Sequence, residues 1–297
     1  MDKIKCEAAL AAADYGNLTT AAAMLGYTQP GITRMLRSLE KELGFSLFIR
    51  TNKGVSVTSN GRMMLPYFRD IVRTHQRAEE LGSEIHGILN GVLTIGSYFS
   101  IASILLPAIL QEFQREYPKV SITLREGGNR ELSSWLAESS IDCCFSAKPS
   151  STVNCDWLPL WQDELVAWLP ANHPQANNEA FPLRDIEKQP FIITLPDEDT
   201  DIDRLLSAEG LHPDIQFSTA DVYTSWRMVE AGLGISFNNR LTSVAWQENV
   251  VTLPFEPAQF ITLGIAAPSL KDMSPATRQF IKKVKTAFAA NKMLTIL

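Results

Sequence analysis

Apolar residues in positions 17–50 recur at steps of three and four, in two runs separated by a short break. Leu18, Ala21, Ala22 and Leu25 form one stripe, which predicts a helix over Leu18–Leu25. Asn17 suits its N-cap, because the side chain can accept an orphan backbone N–H, and Gly26 suits a left-handed C-terminal cap. Thr28 starts the next helix, with Pro30 in the first turn, where no N–H is missed. That helix runs to Leu43 and buries Ile32, Leu36, Leu39 and Leu43. Its other face carries Gln29, Thr33, Arg34, Arg37 and Lys41. Alanines on the first helix let the second cross it closely. Taken alone, such a pair is also an ordinary hairpin with a solvated charged face.

The segment after Gly44 changes that reading. Phe45, Leu47 and Phe48 make a short apolar segment; Arg50 and Lys53 flank Asn52 and Gly54; Val55 and Val57 then alternate with polar positions. The pattern predicts a two-stranded wing with cations at its tip. A helix showing Gln and Arg beside such a wing has the chemistry to enter a major groove. Gln and Arg can pair with base edges, and Thr, Lys and the wing cations suit phosphates.

From Thr58 or Ser59 to about Leu89 the period stays helical. Met64, Ile71, Ala78 and Ile85 recur every seven residues, and Tyr67, Thr74, Leu81 and Ile88 follow three behind. Four heptads read as a coiled-coil seam pairing two copies of the chain, with Pro66 bending the helix near its start. A helix folded back over its own domain is the alternative.

Beyond Gly91 short β-branched runs alternate with helical patterns, which implies a parallel sheet covered by helices. Strands are predicted at 92–95, 120–125, 142–147, 165–169, 191–195, 215–218, 235–237 and 260–267. Helices are predicted at 104–117, 130–138, 201–209, 221–231 and 275–290. Ligands bind such sheets beyond the carboxyl ends of strands. Ser97, Ser100, Asn129 and Thr194 stand at three of those ends. Each alone is as well read as a cap or turn residue; together they favour a small polar ligand. The run Asp197-Glu198-Asp199-Thr200-Asp201-Ile202-Asp203 is read as helix capping, and five acids near a cleft argue against a multiply charged anion.

The net charge of −6 looks wrong for a polyanion binder, but it is unevenly spread. Residues 1–90 hold 11 Lys+Arg against 9 Asp+Glu, and the remainder 16 against 24. The excess acid therefore lies away from the cationic helix face. No signal-peptide core and no apolar run near the ~20 residues of a membrane span are present. Cys6, Cys143, Cys144 and Cys155 fit no zinc spacing and read as buried thiols in a reducing cytoplasm, Cys143 and Cys144 pointing to opposite faces of a strand. His75, His86, His173 and His212 are scattered, and no phosphate loop, metal cluster or cofactor motif appears, so no enzyme is expected.

The first 61 residues resemble the N-terminal domain of LysR-type transcriptional regulators. The matching positions are Leu18, Ala21, Ala22, Leu25, Gln29, Pro30, Thr33, Leu39, Glu40, Leu43, Gly44, Leu47, Phe48, Arg50, Thr58 and Gly61, with Thr19 and Thr33 where the family usually has Ser. Leu105-Leu106-Pro107, Phe113, Tyr117-Pro118, Ile141-Asp142, Pro170, His173-Pro174 and residues 229–235 resemble the family's effector domain. Asn238-Asn239-Arg240 departs from it, replacing an apolar segment with Pro.

The resemblance implies a winged helix-turn-helix over 1–58, a linker and dimerisation helix over 59–89, and a two-lobed, periplasmic-binding-protein-like α/β effector domain over 90–297. Lobe I would take 90–161 and 269–297, and lobe II 162–268. It further implies double-stranded DNA, contacted through Thr19, Gln29, Pro30, Thr33, Arg34, Arg37, Arg50 and Lys53, and a small-molecule effector between the lobes at Ser97, Ser100, Asn129 and Thr194. A homodimer through the linker helix and a homotetramer are implied as well. Two other classes fit parts of the chain: a solute-binding protein with an N-terminal dimerisation module, and an α/β cleft enzyme, for which catalytic groups are missing.

Overall fold

The computed structural model describes every residue except 52, 53, 87, 88, 197, 245, 247, 248 and 290–297. The N-terminal head opens with helix α1 (Lys3–Tyr15), followed by α2 (Leu18–Leu25) and α3 (Gln29–Leu43). The caps are the ones the sequence signals. Asn17 Oδ1 accepts from the N–H groups of Thr19 (2.8 Å) and Thr20 (3.2 Å), Thr28 Oγ1 accepts from Gly31, and Gly26 and Gly44 are left-handed. Cys6, Ala9, Ala12, Ala22, Ile32 and Leu39 make the head's core, which the alanines keep thin.

Strands β1 (Phe48–Thr51) and β2 (Gly54–Val57) pair antiparallel as the wing. Glu40 fixes it to the end of α3, its Oε1 accepting from Leu47 N–H (2.7 Å) and Phe48 N–H (3.1 Å). The linker helix α4 (Ser59–Ile85) starts against this junction. A Cβ on Gly61 would lie 2.4 Å from the Leu47 carbonyl oxygen, so only glycine allows that approach.

The heptad positions of α4 divide between the head's core and the surface. The most buried apolar side chains are Phe68 and Val72, which stand beside the seam and pack into the core under α1. Met64 and Ile71, both on the seam, are half-buried in that same core, so the first half of α4 does have a local domain to pack on. Tyr67, Thr74, Ala78, Leu81 and Ile85 are exposed, and Ile88 lies outside the described residues. A 3.5-residue period and a broad amphipathic stripe differ too little over 27 residues to be told apart by spacing.

Among the described residues the C-terminal part holds a seven-stranded mixed sheet and a separate two-stranded parallel one, not a single all-parallel sheet. Strands β3 (Gly91–Ser97), β4 (Val120–Glu126) and β5 (Cys143–Ala147) are parallel, with β3 in the middle. A π-helical turn (Ile101–Leu105) precedes α5 (Leu106–Glu116) where one helix is predicted, and α6 (Asn129–Ala137) follows β4. Two long strands, β6 (Asp156–Pro170) and β11 (Val250–Ala267), then run antiparallel through both lobes. Only their ends, 165–169 and 260–267, are legible in the sequence.

In the second lobe β7 (Phe181–Pro182) and a short 3-10 turn lead to β8 (Pro190–Thr194). Helix α7 (Asp201–Glu209), β9 (Asp214–Thr219), α8 (Val222–Glu230), β10 (Ser236–Asn239) and the one-turn α9 (Arg240–Ser243) follow. Strands β8 and β9 are parallel, and β10 pairs with β6. Helix α10 (Pro275–Ala289) returns to the first lobe. One core gathers Leu93, Ile95, Phe113, Phe145 and Phe280; another gathers Phe181, Phe191, Phe237 and Phe255. Cys143 and Cys144 do face opposite sides of β5, each in a different core cluster, and the four cysteines are free thiols.

Arginines tie the linker helix to the first lobe. Arg73 donates to the carbonyls of Ser139 (3.1 Å) and Ile141 (3.0 Å) and to Asp142 Oδ1 (2.7 Å), and Asp142 Oδ2 accepts from Thr94 N–H (2.7 Å). Arg69 lies between Asp14 and Glu138.

Because Phe68 is fully buried under α1 while Tyr67 is 63% exposed, the two neighbours should respond differently to truncation. Phe68→Ala should cost the head about 3–5 kcal/mol in thermal or urea unfolding, and Tyr67→Ala under about 1 kcal/mol. Equal costs would mean that the linker helix does not belong to the head's core.

Candidate functional site

The chain presents two sites. In the head, burial of Ile32, Leu36 and Leu39 turns the opposite face of α3 outward. Gln29, Pro30, Arg34, Arg37 and Lys41 are exposed and Thr33 half-exposed, while Gln29 Nε2 donates to Thr33 Oγ1 at 3.1 Å one turn along. Thr19 is exposed at the start of α2, and Arg50 is exposed on the wing. Thr19 on α2, the outer face of α3 and Arg50 on the wing are thus all polar and open to solvent. Lys53 lies outside the described residues.

The second site is a cavity of about 300 Å³ at the carboxyl ends of the strands, between the lobes. The first lobe supplies Tyr98, Phe99 and Ser100 after β3, and Gly127, Gly128 and Asn129 after β4. The second lobe supplies Thr194 at the end of β8, Asp201 at the start of α7, Tyr223 on α8, and Asn238, Asn239 and Thr242 around β10 and α9. Of the four residues predicted here, Ser100, Asn129 and Thr194 line the cavity. Ser97 does not; it is fully buried and its hydroxyl donates to the Tyr98 carbonyl at 3.0 Å. As the last residue of β3 it points into the sheet packing, and the chain reaches the cavity only one residue later.

Asn129 bridges the lobes. Its Oδ1 accepts from the Tyr98 hydroxyl, and its Nδ2 donates to the Asp199 carbonyl at 2.6 Å. The Tyr98 hydroxyl in turn accepts from Ala147 N–H (3.2 Å). Leu195 and Asp199 hold left-handed φ of 51° and 54°, strained for residues with side chains, so the β8–α7 loop is held in shape by its surroundings.

A family model described as the bacterial regulatory helix-turn-helix protein of the lysR family matches residues 5–62, and one described as the LysR substrate binding domain matches residues 86–289. The chain belongs to the LysR family of transcriptional regulators. It is 28% identical over 283 residues to the HTH-type transcriptional regulator YvbU of Bacillus subtilis, covering 94% of this chain and 96% of that one. It is 30% identical over 224 residues to the regulator CysB of Burkholderia cenocepacia, covering 74% and 71%. Among solved structures, a variant of full-length OxyR from Pseudomonas aeruginosa superposes with a TM-score of 0.77 at 20% identity, covering 97% of this chain and 94% of that one. Full-length CbnR complexed with its target DNA superposes with a TM-score of 0.66 at 18% identity, covering 97% and 100%. Like the family, this LysR-type regulator joins a DNA-binding head to an effector-binding domain.

Several cleft residues of the regulator are invisible to sequence reasoning. Tyr98, Tyr223 and Thr242 carry no spacing signal. Of the Asn238-Asn239-Arg240 departure, Asn238 and Asn239 are cavity wall: Asn239 Nδ2 donates to the buried Asp163 at 2.6 Å, while Arg240, outside the wall, is ion-paired with Glu164. Burial lifts the carboxyl of Asp163 to about 6, against the hydrogen bonds from Asn239 and Leu241 N–H. Burial likewise lifts Asp201 to about 6, with Arg204 and Asn129 opposing and Asp199 and Asp163 adding to the rise. Burial also raises the Tyr98 phenol well above its ordinary value.

Asp163 keeps its proton up to about pH 6 in the fold but only to about 3.8 in the unfolded chain, so the folded state binds more protons between those values. The stability this confers is present at low pH and is lost as pH rises through about 6. Asp163→Asn removes the term. In thermal melts from about pH 4 to about pH 7, the wild type should lose about 1–3 kcal/mol relative to the variant. A constant difference across that range would show that the carboxyl is not desolvated.

Proposed function

We propose that this regulator reads double-stranded DNA with α3 and changes its grip when a small molecule occupies the interlobe cleft. The observation that carries the reading is the outward polar face of α3, continuous with the wing that Glu40 anchors. Gln29, Thr33, Arg34 and Arg37 contact base edges in the major groove, Gln and Arg by paired hydrogen bonds. Thr19, Pro30, Arg50 and Lys53 lie against the sugar-phosphate backbone and fix the register of α3. CbnR, a structural neighbour of this fold, has been solved with its target DNA.

In this reading residues 1–58 are the head, 59–89 the linker and 90–297 the effector domain, with lobe boundaries near 161 and 269. The exposed stripe Tyr67, Thr74, Ala78, Leu81 and Ile85 pairs α4 with a second copy, and two such dimers make a tetramer. Ser100, Asn129 and Thr194 hold the effector. No helix among the described residues is long and apolar enough to cross a membrane, and no group of His, Cys, Asp or Glu among them could hold a metal ion. A DNA reader works beside the chromosome, so we place the regulator in the cytoplasm, acting as a switch rather than an enzyme.

Electrophoretic mobility shift on DNA upstream of the regulator's own gene tests the reading. Arg34→Ala and Arg37→Ala should each weaken binding by about 1–3 kcal/mol and relax sequence preference at the bases they contact. Wild-type affinity in both variants would remove α3 from the interface.

A further inference from the structure

The chemistry of the cleft is narrower than "small molecule". Three helices begin at its edge, and a helix start ordinarily attracts anions through its free N–H groups. Here an acid of the same chain holds one N–H at each of the three starts and sets a negative charge beside it. Glu131 accepts from Gly128 N–H (3.1 Å) at α6; Asp203 accepts from Thr200 N–H (2.9 Å) at α7; Asp221 accepts from Thr224 N–H (2.7 Å) at α8. Among the described residues that line the cavity there is no Lys, Arg or His, whereas Glu126, Glu131, Asp201 and Asp221 are present. Arg204 is clamped by Asp199 through two hydrogen bonds (2.9 and 2.7 Å), and Arg240 is paired with Glu164.

A second observation, independent of charge, points to a ligand. Thr194 is 2% exposed and lines the cavity, and its hydroxyl has no hydrogen-bond partner among the described residues. A buried hydroxyl without a partner is costly, and a group entering the cavity would supply one. Asp201 stands on the same wall, with the Asp163 charge adding to its own. Phe99, Leu165, Ile202, Val222 and Tyr223 give the remaining wall an apolar and aromatic character, which suits a hydrocarbon body and a cation beside aromatic faces.

We propose that the cleft holds a small organic ammonium ligand, its cationic head bound by the Asp201 carboxylate and the Thr194 hydroxyl and its apolar body against Phe99 and Tyr223. This rests on the reading of the cleft as the effector site. Asp201 also takes a hydrogen bond from Asn129, the residue that bridges to the Asp199 carbonyl, so the ammonium head competes for Asp201 beside that bridge.

Isothermal titration of the full-length protein with matched probes tests it: phenethylamine, phenethyl alcohol and phenylacetate, then butylamine, butanol and butyrate. In at least one set the amine should bind about tenfold or more tightly than its neutral and anionic analogues. Asp201→Asn should abolish that advantage. Thr194→Val guards against a folding defect in the first variant, since losing an unpaired hydroxyl should leave the ligand-free melting temperature unchanged or higher while amine affinity falls several-fold. Tighter binding of a carboxylate or alcohol in both sets overturns the proposal. So does wild-type amine affinity in Thr194→Val and Asp201→Asn, or no amine binding at millimolar concentration. Mobility shifts with the same probes separate the two levels. A carboxylate that binds and alters DNA affinity keeps the effector reading and discards the cation. An amine that binds without altering DNA affinity keeps the cation site and discards its effector role.

Discussion

A strand that passes from one lobe to another cannot leave its backbone N–H and C=O groups unpaired where the lobes bury them. The cheapest solution is a second strand running the other way alongside it. Strands β6 and β11 do this, pairing from Asp156 with Ala267 at one end to Pro170 with Val250 at the other, with register shifts between Pro254 and Gln259 and at Leu263–Gly264. A Cβ on Gly264 would sit 2.2 Å from the Leu158 carbonyl oxygen, so the second shift depends on glycine. The two strands serve both cores, and the cavity lies where β3, β4, β8 and β10 release the chain. A cleft built on one shared ladder can change shape by bending that ladder, without either core being opened.

Charge is sorted around this cleft residue by residue. The acidic run from Asp197 reads as uniform, yet each described member has a separate task. Glu198 reaches Arg130 across the lobes (3.6 Å), Asp199 clamps Arg204, and Asp203 closes a capping box with Thr200. Asp201 alone lines the cavity. Arg130 and Arg204 near the rim are thereby engaged, and Asp201, with Asp163 behind it, adds to the acids Glu126, Glu131 and Asp221 that also line the cavity. Tyr223 stands against Trp246 (5.3 Å), which packs on Trp226 and Trp168, so one wall of the cavity rests on a stiff aromatic cluster.

The head was legible almost to the residue because its signals are local. Asn17, Gly26, Thr28 and Gly44 terminate α2 and α3 through contacts within a turn of the chain. The middle of the molecule was not. Residues 156–164 and 250–259 are strands, but Pro159, Pro254 and Pro257 interrupt them, and Gln162, Asp163, Glu164 and Glu256 break the apolar alternation. Prolines sit at such irregular places in a sheet without destroying it, and only the partner strand reveals that. The heptads of α4 were legible as an apolar line but not as to what covers it: Met64 and Ile71 pack in the head, and the later seam positions stay exposed on the chain. Ser100, Asn129 and Thr194 were legible as polar groups at strand ends. Ser97 failed the same rule because one residue of pleat decides whether a side chain faces the cavity or the sheet. Asp201 was hidden among equals.

The linker helix is where an event in the cleft can reach the DNA. Asp142, at the threshold of β5, accepts from Thr94 N–H on β3 and from Arg73 on α4. Strand β3 ends at the residues that enter the cavity, and α4 begins against Leu47 beside the wing. Strands β3 and β5 are paired neighbours in the sheet, and Asp142 ties both to Arg73 on the linker helix. A ligand can use this route only if it prefers one lobe arrangement over the other, since equal affinity shifts no population. Asn129 stands at that point, its side chain on the first lobe bonded to the Asp199 carbonyl of the second.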